Sequence, residues 1–190
     1  MAQRTAYSIL LLLLIFHSSL AQEINRTKTD ARGNEMLLGK IDKSGLTQGG
    51  YKAWFEKQFE SYAVDPQPIK SIKNELNQHN ITIFMGTWCG DSRREVPRFL
   101  KILETADYPM DRLTIVALDY EKDQYKKSPG GEEKGLNIIK VPTFIFYKNG
   151  KAVNRIVESP VESLEKDMAA ILLGKVYVPN YGQIPKLPVD

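Results

Sequence analysis

One cysteine in 190 residues, Cys89, excludes an intrachain disulfide, so the chain must hold its fold by core packing whatever the redox state of its compartment. With that single thiol and two histidines, His17 and His79, no cluster of thiolate and imidazole ligands can form, and neither a metal nor a cofactor is expected. Charge of one sign is also scarce. The 26 Lys and Arg against 23 Asp and Glu leave a formal +3, with the two signs interleaved along most of the sequence. Proteins of nucleic acid or anionic surfaces gather cations on one face, so no nucleic-acid partner is expected. Long apolar runs are missing beyond the N-terminus, where Arg4 precedes the run Ile9 to Phe16 and small residues end at Ser19-Leu20-Ala21. This arrangement predicts a signal peptide over 1–21, cleaved after Ala21, and therefore export to the periplasm or the extracellular space. The run is too short to cross a hydrocarbon core of about 30 Å, so no permanent membrane span is expected. Gln22 follows the cleavage site where a lipid-anchored bacterial protein needs cysteine.

A chain of this length with 42% hydrophobic side chains can bury one good core, which predicts one domain with extensions. The boundaries expected are an N-terminal extension over 22–66, a folded domain over 67–173 and an extended tail over 174–190 that carries Pro179, Pro185 and Pro188. Between Glu23 and Gly50 the sequence is polar and glycine-rich, which reads as a partly ordered lead-in. Tyr51, Trp54, Phe55, Phe59 and Tyr62 then recur at helical spacing, a stripe that serves core packing. After Pro66 and Pro68 come a helix from Ile69 to Gln78, a buried strand Ile81 to Met85, a helix from Asp91 to Glu104 and a second strand Leu113 to Leu118. A polar stretch from Asp119 to Asn137 leads to two strands, Thr143 to Tyr147 and Ala152 to Val157, joined by an Asn149-Gly150 hairpin turn, and a last helix spans Val161 to Leu172. A β-α-β unit followed by a hairpin and a helix predicts an α/β fold: a mixed central sheet with helices on both faces.

Two short motifs stand at strand ends within this pattern: Trp88-Cys89-Gly90-Asp91-Ser92 after the first strand, and Val141-Pro142-Thr143 at the opening of the hairpin. Together with Pro97 and the run Phe144 to Gly150, their order and separation resemble the thioredoxin family over about Pro68 to Leu173. The resemblance implies the thioredoxin fold, a cis peptide bond before Pro142, and a substrate groove formed by Trp88, Gly90, Asp91, Val141, Pro142 and Thr143 around a reactive Cys89. Two departures matter. Ser92 stands where dithiol members carry their resolving cysteine, and Ile83 stands where thioredoxins carry a buried acid that assists it. A hydroxyl cannot displace sulfur from a disulfide, so the two losses are mutually consistent.

The residues carry their own chemistry. A cysteine between a buried strand and the first turn of a helix faces the unpaired N–H groups and positive dipole end that stabilise a thiolate. Arg93 and Arg94 are expected to add to this, Asp91 to oppose it, and Ser92, one turn on, to donate a hydrogen bond to the sulfur. Cys89 and Ser92 are thus the expected catalytic pair. Three function classes follow. The first is monothiol exchange, in which Cys89 forms mixed disulfides with exported proteins or small thiols. The second is a non-redox module holding peptides in the groove beside Val141-Pro142, with Cys89 incidental. The third is a monothiol glutaredoxin-like role using Cys89 and glutathione, with or without an iron–sulfur cluster shared between two chains, which the motif argues against because those proteins resemble Cys-Gly-Phe-Ser without a preceding Trp.

Overall fold

A computed structural model of the chain describes residues 23–182, so the expected signal peptide and the last part of the expected tail lie outside the described residues. The chain opens with a hairpin, β1 (Thr27–Thr29) against β2 (Glu35–Leu37), then β3 (Gly39–Ile41) and a short helix α1 (Lys43–Leu46). Two longer helices follow, α2 (Lys52–Ser61) and α3 (Pro66–Leu76). Next come β4 (Asn80–Met85), α4 (Gly90–Thr105) and β5 (Leu113–Ala117), then β6 (Thr143–Lys148), β7 (Lys151–Val157) and α5 (Leu164–Leu172). Local chemistry sets the breaks. Asp65 caps α3 by accepting from Gln67 N–H while Pro66 takes the first turn, and Ser163 caps α5 by accepting from Lys166 N–H. Asn149 and Gly150 both take positive φ, 51° and 76°, which gives the tight turn between β6 and β7 the twist those strands need.

The main sheet has five strands in the order β3-β5-β4-β6-β7. β4 and β5 are parallel and joined through α4, whereas β3, β6 and β7 run antiparallel to their neighbours, so the sheet is mixed as expected. Strand alternation gives it two apolar faces. Ile81, Ile83, Met85, Ile115, Ala117, Phe144, Phe146 and Ile156 line one, and the buried residues of all five described helices pack there, among them Leu46, Phe55, Ile72, Phe99 and Met168. Phe84, Val116, Leu118 and Ile145 line the other, together with Val141. The expectation of helices on both faces meets a difference here: Leu136, Ile138 and Trp88 cover the second face, so a loop does the work of a helix. The loop can do so because its few apolar side chains fall opposite the strands, while its polar majority stays on the outside.

The lead-in is the larger correction. Residues 23–50 form the β1–β2 hairpin, β3 at the sheet edge and α1 capped by Asp42, whose carboxylate accepts from Ser44 N–H at 2.9 Å. Strands of three residues are too short to show a period of two, which is why composition alone reads the region as a partly ordered lead-in. The extension is also part of the core. Phe55 is buried and stacks on Phe59 with centroids 5.6 Å apart, so the aromatic stripe packs as expected. The buried Glu165 accepts from Tyr62 O–H at 2.9 Å and Asp65 N–H at 3.2 Å, tying the end of α2 to the start of α5. Downstream, α5 starts later than expected, at Leu164, because the Asp167 carboxylate accepts from Val161 and Glu162 N–H and holds them in a loop. The described part of the tail is tied down too: Tyr177 O–H donates to Asp167 at 2.8 Å, and Asn180 donates to Ser159 O at 2.9 Å. No helix among the described residues is long and apolar enough to cross a membrane.

Candidate functional site

Cys89 occupies the N-cap of α4 with extended backbone, φ −89° and ψ 128°. Its own N–H donates to Gly86 O at 2.9 Å, and its carbonyl accepts the first helical bond, from Arg93 N–H at 3.0 Å. An N-cap residue lies half outside its helix, so the side chain leaves the helical surface. The half-buried sulfur donates its proton to Val141 O at 3.2 Å. The two motifs, 52 residues apart in sequence, therefore meet directly.

The Val141–Pro142 peptide bond is cis. The segment is fixed on both sides: Glu158 N–H donates to Pro142 O at 2.7 Å, and Thr143 O–H donates to Lys140 O at 2.7 Å. Val141, Pro142 and Thr143 are all buried, so little of their side chains is open to anything bound at the sulfur.

Trp88 is half-buried, with its indole N–H donating to Leu118 O at 2.8 Å. Its ring lies 6.0 Å from that of Tyr120 and 5.9 Å from that of Tyr125, centroid to centroid. The space for the indole exists because residue 86 is glycine: a Cβ there would come within 2.4 Å of the ring. Gly86→Ala is expected to push Trp88 off the Leu118 carbonyl at a cost of about 1–3 kcal/mol in stability, the usual range for overpacking. In a Trp54→Phe background, which leaves Trp88 as the only tryptophan, the emission is expected to shift to the red. An unchanged spectrum would show that the ring does not depend on that gap.

The remaining motif residues depart from expectation in their partners. Ser92 is fully buried, and its hydroxyl accepts from Gly86 N–H at 3.2 Å. It fastens the first turn of α4 to the end of β4; among the described residues the hydrogen bond of Cys89 Sγ goes to Val141, not to Ser92. The i, i+3 spacing places two side chains together only when both residues are helical, and Cys89 is not. The expected support from Arg93 and Arg94 is redirected as well. Arg93 donates to Thr87 O at 2.5 Å and lies over Trp54, while Arg94 pairs with Asp91 at 2.8 Å and with Glu95 at 2.6 Å. Asp91 is thereby neutralised by its helix neighbour. Gly90 is exposed, and a side chain there would meet nothing within 4 Å. Ile83 is fully buried in the core beneath the site. No group of His, Cys, Asp and Glu among the described residues could hold a metal ion.

Tyr120 and Tyr125 were not legible as site residues. Each is a lone aromatic in a stretch whose charge marks it as surface, and only the fold of that stretch brings them to Trp88.

The Thioredoxin family model matches residues 67–170, which contain β4, the Cys89 turn, α4 and the Val141–Pro142 segment. A Picea mariana thioredoxin H-type is 31% identical over 46% of this chain, which spans 62% of that relative's length. A thioredoxin from Alicyclobacillus acidocaldarius is 29% identical over 47% of this chain and 77% of its own length. Among solved structures, the thioredoxin of Fasciola hepatica matches 56% of this chain and 89% of its own at 19% identity and a TM-score of 0.35. The match to more than half of the chain, which includes the strand-to-helix cysteine turn and the second turn at Pro142 that faces it, shows that the chain belongs to the thioredoxin family.

Proposed function

We propose that the protein is an exported monothiol exchange factor acting through Cys89. The observation that carries the reading is the position of this single cysteine: half-exposed, at a helix N-terminus, in contact with Val141 O. The thiolate is the attacking form, and loss of the thiol proton ends the bond to Val141, leaving that carbonyl free to accept from the backbone of an extended peptide. The thiolate then attacks one sulfur of the peptide's disulfide. The old S–S bond breaks, a mixed disulfide to Cys89 forms, and the departing sulfur takes a proton from solvent. Ser92 has no chemistry with which to resolve this intermediate, so release requires a second thiol, from the partner itself or from a small thiol. Action outside the cytoplasm is supported by Arg4 and the apolar run that follows it.

The test is the modification of Cys89 in mature protein, which begins at Gln22 if the leader is removed as proposed. Iodoacetamide is expected to label the folded chain at least as fast as the chain in denaturant. An aromatic disulfide is expected to leave one adduct per chain that persists until a thiol is added. Labelling a hundredfold slower in the folded protein would sink the exchange reading and favour a peptide-holding groove with Cys89 incidental.

A further inference from the structure

We propose that the connection between β5 and β6, locked in place by the N-terminal hairpin, forms a second wall of the cysteine site, and that this wall selects partner peptides with a large apolar or aromatic side chain beside their disulfide. The inference rests on the exchange reading above and names its substrate class.

The wall begins at Trp88, adjacent to the reactive sulfur. Tyr125 packs against the indole on one side and is 50% exposed on the other. Tyr120 flanks the same indole, and Leu136 and Ile138 pack on the apolar cluster that Trp88 and Cys89 join. The aromatic surface is thus continuous with the site and still open to solvent, where an apolar side chain could bury it.

A tyrosine on a long surface loop would ordinarily wander, and a mobile ring selects poorly because ordering it offsets the gain from contact. Here the loop is anchored from a distant part of the chain. Lys28, on β1, donates to the buried Asp119 at 2.6 Å and to Glu121 at 2.7 Å. The hydroxyl of Tyr120 donates to the Asp30 carboxylate. Asp30 is itself fixed, since it accepts from Asn34 and Arg32 N–H at 2.7 and 2.8 Å and from the Asn34 side chain at 2.9 Å. These bonds, the one from the Asn34 side chain above all, hold its carboxyl below the usual aspartate range and keep it ionised as the tyrosine's acceptor. The loop also closes on itself, with Asp119 N–H to Lys127 O at 3.0 Å and Lys126 N–H to Asp119 O at 2.8 Å. The Lys126 ammonium bonds Ile139 O while lying 4.7 Å from the centre of the Tyr125 ring, which links the tyrosine to the segment that leads into Val141. Lys28 and Asp30 are therefore positioning residues for Trp88, Tyr120 and Tyr125.

The experiment uses two peptide disulfides that differ only in the residue preceding the cysteine, Phe or Gly. Mixed-disulfide formation with each is measured for the wild-type chain, Tyr125→Ala and Asp30→Ala, and each rate is divided by that variant's own iodoacetamide rate. The wild type is expected to favour the Phe peptide about tenfold, a discrimination in the range one apolar contact supplies. Tyr125→Ala is expected to reduce the preference to about twofold, and Asp30→Ala to an intermediate value. Equal rates for the two peptides in the wild type, or a preference that survives Tyr125→Ala, would overturn the proposal. If Cys89 reacts with neither peptide, the exchange reading has failed on its own account. Binding of the reduced peptides, followed by Trp88 emission in the Trp54→Phe background, then decides the wall: a tighter Phe peptide whose advantage disappears in Tyr125→Ala supports it, and equal affinities overturn it.

Discussion

Cys89→Ser is expected to eliminate every covalent adduct between this protein and a disulfide, not merely to slow its formation. Cys89 is the only thiol in 190 residues, and a methionine thioether cannot form a disulfide. The Ser92 hydroxyl is buried and committed to Gly86, and a serine at position 89 would lack the thiolate that attacks sulfur. The substitution is close to isosteric. A hydroxyl at the N-cap is among the better helix caps and can still donate to Val141 O, so α4 and the fold are expected to persist. That separates loss of chemistry from loss of structure. The measurement is the intact mass of the chain after exposure to an aromatic disulfide: one adduct on the wild type, none on the variant, with matching circular dichroism. Any adduct on Cys89→Ser, or partner capture equal to that of the wild type, would end the monothiol mechanism and leave a non-covalent groove.

Phe99→Ala is expected to produce the second large effect, a loss of about 3–5 kcal/mol in folding stability. Phe99 is fully buried on the inner face of α4; its ring stacks on Phe144 at 4.4 Å and meets the edge of Phe146 at 6.2 Å. It therefore joins the helix that begins at Cys89 to the strand that begins at Thr143, next to Pro142. Removing it leaves a cavity between two rigid elements that cannot both move inward, because β6 lies between β4 and β7. Against a typical total of about 5–15 kcal/mol this is a large share. Urea unfolding is expected to show a midpoint lower by about 1 M or more. A change under about 1 kcal/mol would mean that the junction between α4 and β6 is far more plastic than its packing indicates.

These effects fall on residues of unequal legibility. The strands β4 and β5 were readable because they are short apolar runs, and α4 because Val96, Phe99, Leu100 and Leu103 recur at the spacing of one helical face. The Asn149-Gly150 turn announced the β6–β7 hairpin, since few other residue pairs accept two positive φ angles. Cys89 and Pro142 stand out because the triplets around them, Trp88-Cys89-Gly90 and Val141-Pro142-Thr143, resemble thioredoxin signatures. That they touch, sulfur to carbonyl, is a property of the sheet, in which β4 and β6 are neighbours and their ends meet.

Other features had no local signature. Helix spacing predicts a bond from Ser92 to Cys89, but Cys89 sits at the cap, where that spacing no longer holds, and Arg93 and Arg94, close to Cys89 in sequence, find their partners at Thr87, Asp91 and Glu95. The hairpin of residues 27–37 has strands too short for periodicity, and it is held by bonds to Asp119, Tyr120 and Glu121 about ninety residues away.

The amino-acid order by itself determined which segments are apolar, which turns are tight and that only one thiol is present, because propensity, periodicity and composition act over a few residues at a time. Which face of the sheet the helices take, which carbonyl meets the sulfur and which tyrosines stand beside Trp88 were decided only by the tertiary structure. Those relations join residues whose proximity depends on the packing of the entire core, and no stretch of a few residues contains that information.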